Sequence, residues 1–267
     1  MPPEKSLPWH WGWRRAILGY NPVEVKAMPP EIRVIGVEGM PEVQAGDDLS
    51  GQMMDAADRQ GTPIEAGDML VVTQKVVSKT EGRVISLEGI EPSEMAIRIT
   101  EGHRRDPRHT EMILRESARI VRMDRGVIIS ETHHGFQCAN AGIDASNIPG
   151  SDTIALLPVD PDASARRVRD DVKSRLGVDV AVIISDTFGR PWRAAAVNVA
   201  IGVAGFNPCL SYVGQEDSFG NLMYTTVIAV ADELAATAEL VTGKLLGIPV
   251  AIIKGYEYEP MADASHE

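Results

Sequence analysis

Val178-Asp-Val-Ala-Val-Ile-Ile-Ser185 runs without a break into Asp186-Thr-Phe-Gly-Arg-Pro-Trp-Arg193. The first half is a run of branched apolar residues following Gly177, which reads as a strand buried on both faces. The second half places a carboxylate and a hydroxyl at the carboxyl end of that strand, then a glycine turn, then two arginines flanking a tryptophan. Working outward, Ser164–Leu176 has helical spacing and is closed by Gly177. Met69-Leu-Val-Val-Thr73 and Pro249–Lys254 read as further strands, as do Ile32–Val37, Gly126–Ser130 and the shorter Ile154–Pro158. Asp48 caps a helix through about Arg59, and Ser93 starts another to about Glu101. His109–Ile120 and the Ala-rich Thr226–Leu246, closed by Gly247, read as helices too. Strands and helices alternate without a strict βαβ repeat, so the expected class is α+β, or mixed α/β, with mixed sheets.

The chain has 267 residues, enough to bury a sizeable core without disulfides. Its 26 basic and 38 acidic residues give a formal charge of −12, which disfavours a non-specific nucleic-acid binder. Two cysteines, Cys138 and Cys209, stand far apart, which excludes a cysteine-based zinc site and fits a reducing compartment. No apolar run is long enough to span a membrane. The expectation is a cytoplasmic protein without nucleic-acid or membrane partners. Residues 1–31 form an N-terminal extension read as poorly ordered, 32–258 the functional domain, and 259–267 a C-terminal tail. The extension holds Trp9, Trp11 and Trp13 with Arg14 and Arg15, and its first 27 residues carry a charge of +2.

The common nucleotide and hydrolase signatures are absent: GxxxxGK[ST], GxGxxG after a strand, HExxH and GxSxG. The oxygens of Asp186 and Thr187 are hard ligands suited to Mg²⁺ or Mn²⁺. Arg190 and Arg193 offer forked donors for phosphate or carboxylate. A second signal is the polar, aperiodic loop from His134 to Asn147, in which Asp144 is the natural mate for Asp186. His133 and His134 read as structural residues. A third is Thr73-Gln-Lys-Val-Val-Ser-Lys79, where Lys75 and Lys79 beyond a buried strand can meet phosphate or form a solvated basic face.

Taken together, Val71–Arg83, the loop ending Asp144-Ala-Ser-Asn147, Ser185–Arg193 and Ala229–Ala235 resemble the coenzyme F420-0:L-glutamate ligase family, the γ-glutamyl ligases of deazaflavin biosynthesis. The match runs from about Ile32 to Gly255 with the motifs in family order. The resemblance implies GTP-dependent ligation of L-glutamate to F420-0 and then of further γ-linked glutamates. An acyl phosphate would form on the way, with release of GDP and phosphate. It also implies an intertwined homodimer of the γ-glutamyl ligase type, with Mg²⁺ or Mn²⁺ and K⁺ assisting. On this basis Asp144, Asp186 and Thr187 hold metal and the two aspartates serve the reaction; the forked donors of Arg190 and Arg193 are expected to join them there by holding anionic groups of F420-0 or glutamate. The nucleotide segments match Met40, Pro41, Glu42 and Val43; Gln74 and Lys79; Asn147; and Thr242, Gly243, Lys244, Leu245, Leu246, Gly247, Ile248 and Pro249.

Two departures stand out. Gln74 occupies a position often held by serine. Lys244 occupies one where archaeal members often carry a glutamine or glutamate that ligates a second metal, and an ammonium cannot ligate a cation. Two other readings therefore stay open: a non-catalytic nucleotide- or deazaflavin-binding dimer, and the same ligase chemistry on a variant acceptor.

Overall fold

A computed structural model describes residues 31–266, so the expected N-terminal extension lies outside the described residues apart from Glu31. In chain order the elements are β1 (Arg33–Gly36), α1 (Leu49–Gln60), β2 (Met69–Thr73), α2 (Gln74–Thr80), β3 (Val84–Ser86), α3 (Glu94–Thr100), α4 (Pro107–Arg115), β4 (Ser117–Asp124), β5 (Val127–Thr132), β6 (Gln137–Ala139), β7 (Thr153–Ala155), α5 (Pro161–Leu176), β8 (Ala181–Gly189), β9 (Ala196–Phe206), β10 (Leu210–Ser211), β11 (Val227–Ile228), α6 (Val230–Thr242), β12 (Val250–Lys254) and β13 (Pro260–Met261). The mixed α/β class expected from the sequence is what forms.

The main sheet has six strands in the order β1-β12-β2-β8-β9-β13, and within it only β2 and β8 run parallel. Side chains alternate across it with a period of two. Leu70, Val72, Val182 and Ile184 pack beneath α1 and α5, meeting Met53, Ala57, Ala165 and Val172. Met69, Val71, Ala181 and Ile183 face the other way onto Leu234, Ala235 and Ala238 of α6. Burial on both faces is why these strands are continuously apolar. A separate core of Leu87, Ile113, Ile128, Ile143 and Ile154 joins α4, the β3–β7 pair and the three-stranded sheet β4-β5-β6.

Two expectations need correction, and two elements were not expected at all. The segment His109–Ile120 is helical only to Arg115, after which Ser117–Asp124 is a strand paired with β5. Its alternation of arginine with isoleucine, valine and methionine serves either period, and the cross-strand partner decides. The long C-terminal helix spans Val230–Thr242 rather than Thr226–Leu246, because Val227 and Ile228 pair with β10. The eleven-residue strand β9 and the helix α2 gave no recognised signal. β9 is rich in Ala and Gly, which weakens its local strand preference.

Those small residues have a structural reason. β9 carries an extra residue opposite β8, since Ile184 pairs with Gly202 and Ser185 with Ala200. Such a bulge frees backbone donors. Val203 N–H donates to Asp162 Oδ1 of α5 at 2.7 Å, and Ala200 N–H donates to Asp232 Oδ1 of α6 at 2.9 Å. The helices on both faces are thereby pinned to one irregularity. Asp162 also accepts from Ser265 and His266, so the segment expected as a tail is anchored on α5.

A Cβ on Gly202 would lie 2.4 Å from the carbonyl carbon and oxygen of Pro161, so α5 can approach only because this residue is glycine. Gly202→Ala should destabilise the fold by about 2–3 kcal/mol in urea unfolding. Gly189→Ala adds a methyl that meets nothing within 4 Å, and should stay within about 0.5 kcal/mol of the parent.

Candidate functional site

Thr73 pairs with Ser185 in the parallel β2–β8 ladder, so the residues that follow leave the sheet at the same edge. The carboxyl ends of adjacent parallel strands are where open α/β sheets build their sites. From β2 the chain passes at once into α2, whose second residue is Lys75. From β8 comes Asp186, followed by Thr187. The strand does not stop there as the sequence implied: β9 holds it in register through Thr187 against Asn198 to Gly189 against Ala196. Both residues therefore sit on a rigid ladder rather than in a loop.

Asp144 arrives from the smaller core. Its backbone makes an isolated bridge with Ala155, with N–H···O distances of 3.1 and 2.8 Å. The next residues are tied to α2: Gln74 Nε2 donates to Leu156 O at 3.0 Å, and Ser78 Oγ donates to the same oxygen at 2.6 Å. Gln74 is fully buried and also donates to Ser78 Oγ, so its side chain braces the site from inside. Lys75 Nζ then reaches Asp144 Oδ2 at 2.7 Å, Ser146 O at 2.6 Å and Ser146 Oγ at 3.1 Å.

The two carboxylates are not equivalent. Burial raises Asp144, but the Lys75 ammonium and the Ser146 N–H outweigh it and hold the carboxyl below its usual range. Asp186 makes no salt bridge among the described residues. Burial pushes it up to about 6, with Asp144 adding to the rise while the Thr187 N–H, Lys244 and Lys75 draw it partly back. A half-satisfied pair of carboxylates beside a hydroxyl is a hard-oxygen donor set that a divalent cation would relieve. No group of three or more His, Cys, Asp or Glu side chains is placed to hold a metal ion among the described residues. Two carboxylates and Thr187 are enough for Mg²⁺, which commonly completes its shell with water and substrate phosphate.

The remaining expected residues surround this centre unevenly. Lys79 forms a salt bridge with Glu42, joining two of the expected nucleotide segments, and Val43 is buried in the main core. Asn147, in a left-handed conformation, donates from Nδ2 to Lys244 O at 3.0 Å, which ties the Asp144 loop to the segment after α6. Lys244 Nζ lies 3.4 Å from Thr187 Oγ1. Leu245 and Leu246 beside it are exposed. Arg190 Nε donates to Ala195 O at 3.3 Å and a second guanidinium nitrogen donates to Ala194 O, closing its own loop. Arg193 and Trp192 are exposed next to it. His134 Nε2 donates to Pro158 O at 2.9 Å, and His133 Nε2 donates to Arg115 O at 2.9 Å, so each histidine is tied to a backbone carbonyl. The bracing role of Lys75, and the contact of Asn198 with Thr187, had no sequence signal beyond residue type.

A family model described as F420-0:Gamma-glutamyl ligase matches residues 39–255. The chain is 48% identical over 229 residues to the coenzyme F420:L-glutamate ligase of Methanothermobacter thermautotrophicus, covering 85% of this chain and 90% of that protein. It is 42% identical over 226 residues to the protein of the same description from Methanocaldococcus jannaschii, covering 84% and 88%. With the Methanopyrus kandleri counterpart the identity is 43% over 231 residues, covering 86% and 89%.

The charge on Asp186 burdens the fold above about pH 6, and that burden lifts as acid protonates the group toward its ordinary value. In protein freed of metal by chelator, Asp186→Asn should therefore be more stable than the parent by about 1–3 kcal/mol at pH 7.5. The gain should shrink to near zero by about pH 4. Unfolding midpoints across that range check it; an equal or lower midpoint at pH 7.5 contradicts the strained carboxylate.

Proposed function

The chain belongs to the F420-0:γ-glutamyl ligase family, and from that premise we propose how its residues carry out the reaction. The activity is GTP-dependent ligation of L-glutamate to F420-0 in coenzyme F420 biosynthesis. The observation that carries the site reading is the meeting of Asp144, Asp186 and Thr187 oxygens with the ammonium groups of Lys75 and Lys244.

Amide formation from a carboxylate needs an activated acyl group. In this reading a carboxylate oxygen of the deazaflavin attacks the γ-phosphorus of GTP, and the bond to the GDP oxygen breaks. The amine of glutamate then attacks the acyl carbon of the resulting acyl phosphate and expels phosphate. Asp144, Asp186 and Thr187 would hold Mg²⁺ or Mn²⁺, which when bound would neutralise the negative charge that phosphoryl transfer concentrates on the phosphate oxygens. K⁺ assists in the same reading. The nucleotide lies along Met40–Val43, Lys79, Asn147 and Thr242–Pro249, with Gln74 supporting it from within. Lys75, Lys79 and Lys244 neutralise phosphate charge from fixed positions, the kind of preorganisation that contributes most in such transfers. Arg190 and Arg193 receive anionic groups of F420-0 or glutamate, with Trp192 as an apolar wall. A chain of charge −12 needs this local basic cluster to admit anionic substrates.

The same reading includes a homodimer. The excursion between β10 and β11 supports it, since Phe219 and Tyr224 there are 88% and 74% exposed. Aromatic groups of that size left in water favour an interface. No helix among the described residues is long and apolar enough to cross a membrane.

Purified protein with GTP, Mg²⁺ or Mn²⁺, L-glutamate and F420-0 should release GDP in step with mass gains of whole glutamate units on the deazaflavin. Asp144→Ala should lower that turnover by about a hundredfold or more in protein that still unfolds cooperatively, at a midpoint lowered by the lost pairing with Lys75. GTP binding without GDP release or mass gain would favour a binding module. GDP release only with another acceptor would keep the chemistry and change the substrate.

A further inference from the structure

Thr187 is the only uncharged member of the donor set, and a hydroxyl can face a cation only if its own hydrogen points elsewhere. Its Oγ1 lies 2.8 Å from Asn198 Oδ1, and Asn198 Nδ2 lies 2.7 Å from Glu239 Oε2. The direction of this chain follows from chemistry. An ionised carboxylate only accepts, so the nitrogen of the Asn198 amide must face Glu239. The amide oxygen then faces Thr187, and with no hydrogen of its own it obliges the Thr187 hydroxyl to donate. Oγ1 is then left to act as an acceptor, and Lys244 Nζ donates to it at 3.4 Å, a long contact that a cation would replace.

Three elements supply the three residues: Thr187 from β8, Asn198 from β9 and Glu239 from the last turn of α6. Thr187 and Asn198 are direct partners in the β8–β9 register, and Asn198 is only 6% exposed. A buried amide held at both ends cannot rotate without leaving one end unpaired. Gly243 N–H also donates to Glu239 O at 2.9 Å, so the helix turn that orients the amide begins the segment carrying Lys244.

We propose that Asn198 and Glu239 are positioning residues of the metal site: together they fix the polarity of the Thr187 hydroxyl so that it presents acceptor lone pairs to the cation. The proposal rests on the reading that Asp144, Asp186 and Thr187 hold the divalent ion. In this role each acts through Thr187 rather than by contact with substrate. Their effect is on the affinity for the cation, with catalysis following from it.

The test measures Mn²⁺ affinity by water-proton relaxation in the presence of saturating GDP, so that it does not depend on turnover. Asn198→Leu should weaken Mn²⁺ binding about 10–100-fold, the usual cost of losing a partner that orients a ligand. Glu239→Gln leaves an amide that can donate as well as accept, so the orientation is no longer enforced and a smaller loss is expected. It also serves if Asn198→Leu fails to fold. In a Thr187→Val background neither substitution should weaken Mn²⁺ binding further by more than about twofold, because the hydroxyl they orient is gone. Affinity for GDP without metal should be unchanged throughout. Parent-like Mn²⁺ affinity in folded Asn198→Leu or Glu239→Gln, or an equal loss in the Thr187→Val background, overturns the positioning role while leaving the metal site standing. Absence of Mn²⁺ binding by the parent protein overturns the metal reading and this inference with it.

Discussion

The parallel pairing of β2 with β8 is the constraint on which the rest depends. Thr73 opposite Ser185 sets where Lys75 and Asp186 leave the sheet. A slip of one residue would turn every side chain of one strand to the other face, moving Asp186 to the wrong layer and turning the valines and isoleucines now packed against α5 onto α6, where they do not fit. The register is held because both faces are filled, by α1 and α5 on one side and α6 on the other. The site is thus placed by apolar packing many residues removed from its chemistry.

Electrostatics then divides two like-charged groups between two conditions. Asp144 is stabilised as an anion by Lys75 and by the N–H of Ser146, whereas Asp186 is half-buried without a salt bridge among the described residues and rises toward the neutral range. Environments that push a neighbouring pair apart mark places where charge is to be handled. The strain at Asp186 costs stability, and it is tolerated on a strand that cannot move because β9 grips it on the outer side and β2 on the inner. Lys244 and Asn147 close the remaining side, coupling the loop from the smaller core to the end of α6.

The bulge in β9 serves both ends of that strand. Near its centre Gly202 lets α5 approach, and Asp162 and Asp232 take up the freed backbone donors. A few residues earlier Asn198 stands opposite Thr187. Anchoring the helices and orienting the hydroxyl are properties of a single strand, and they explain why its sequence mixes small residues with one buried amide.

Much was legible without coordinates. The apolar runs Met69–Thr73 and Ala181–Ser185 declare buried strands, because only strands covered on both faces can be apolar at every position. Asp48 and Gly177 mark helix ends through the geometry their side chains, or lack of one, permit. Asp144, Asp186, Thr187 and Lys79 stood out as hard oxygens and ammonium groups next to such elements, and their order resembled one family. What the sequence could not carry is anything decided by a partner distant along the chain. Ser117–Asp124 is a strand because β5 pairs with it, and β9 is a strand because β8 does, although its alanines and glycines prefer neither state. Gln74 faces the interior because Leu156, 82 residues away, offers it a carbonyl. Asn198 and Glu239, separated by 41 residues, become a pair only when α6 docks on the sheet. Local residue chemistry determined which groups could act; long-range packing alone decided which of them meet, and which way their hydrogen bonds point.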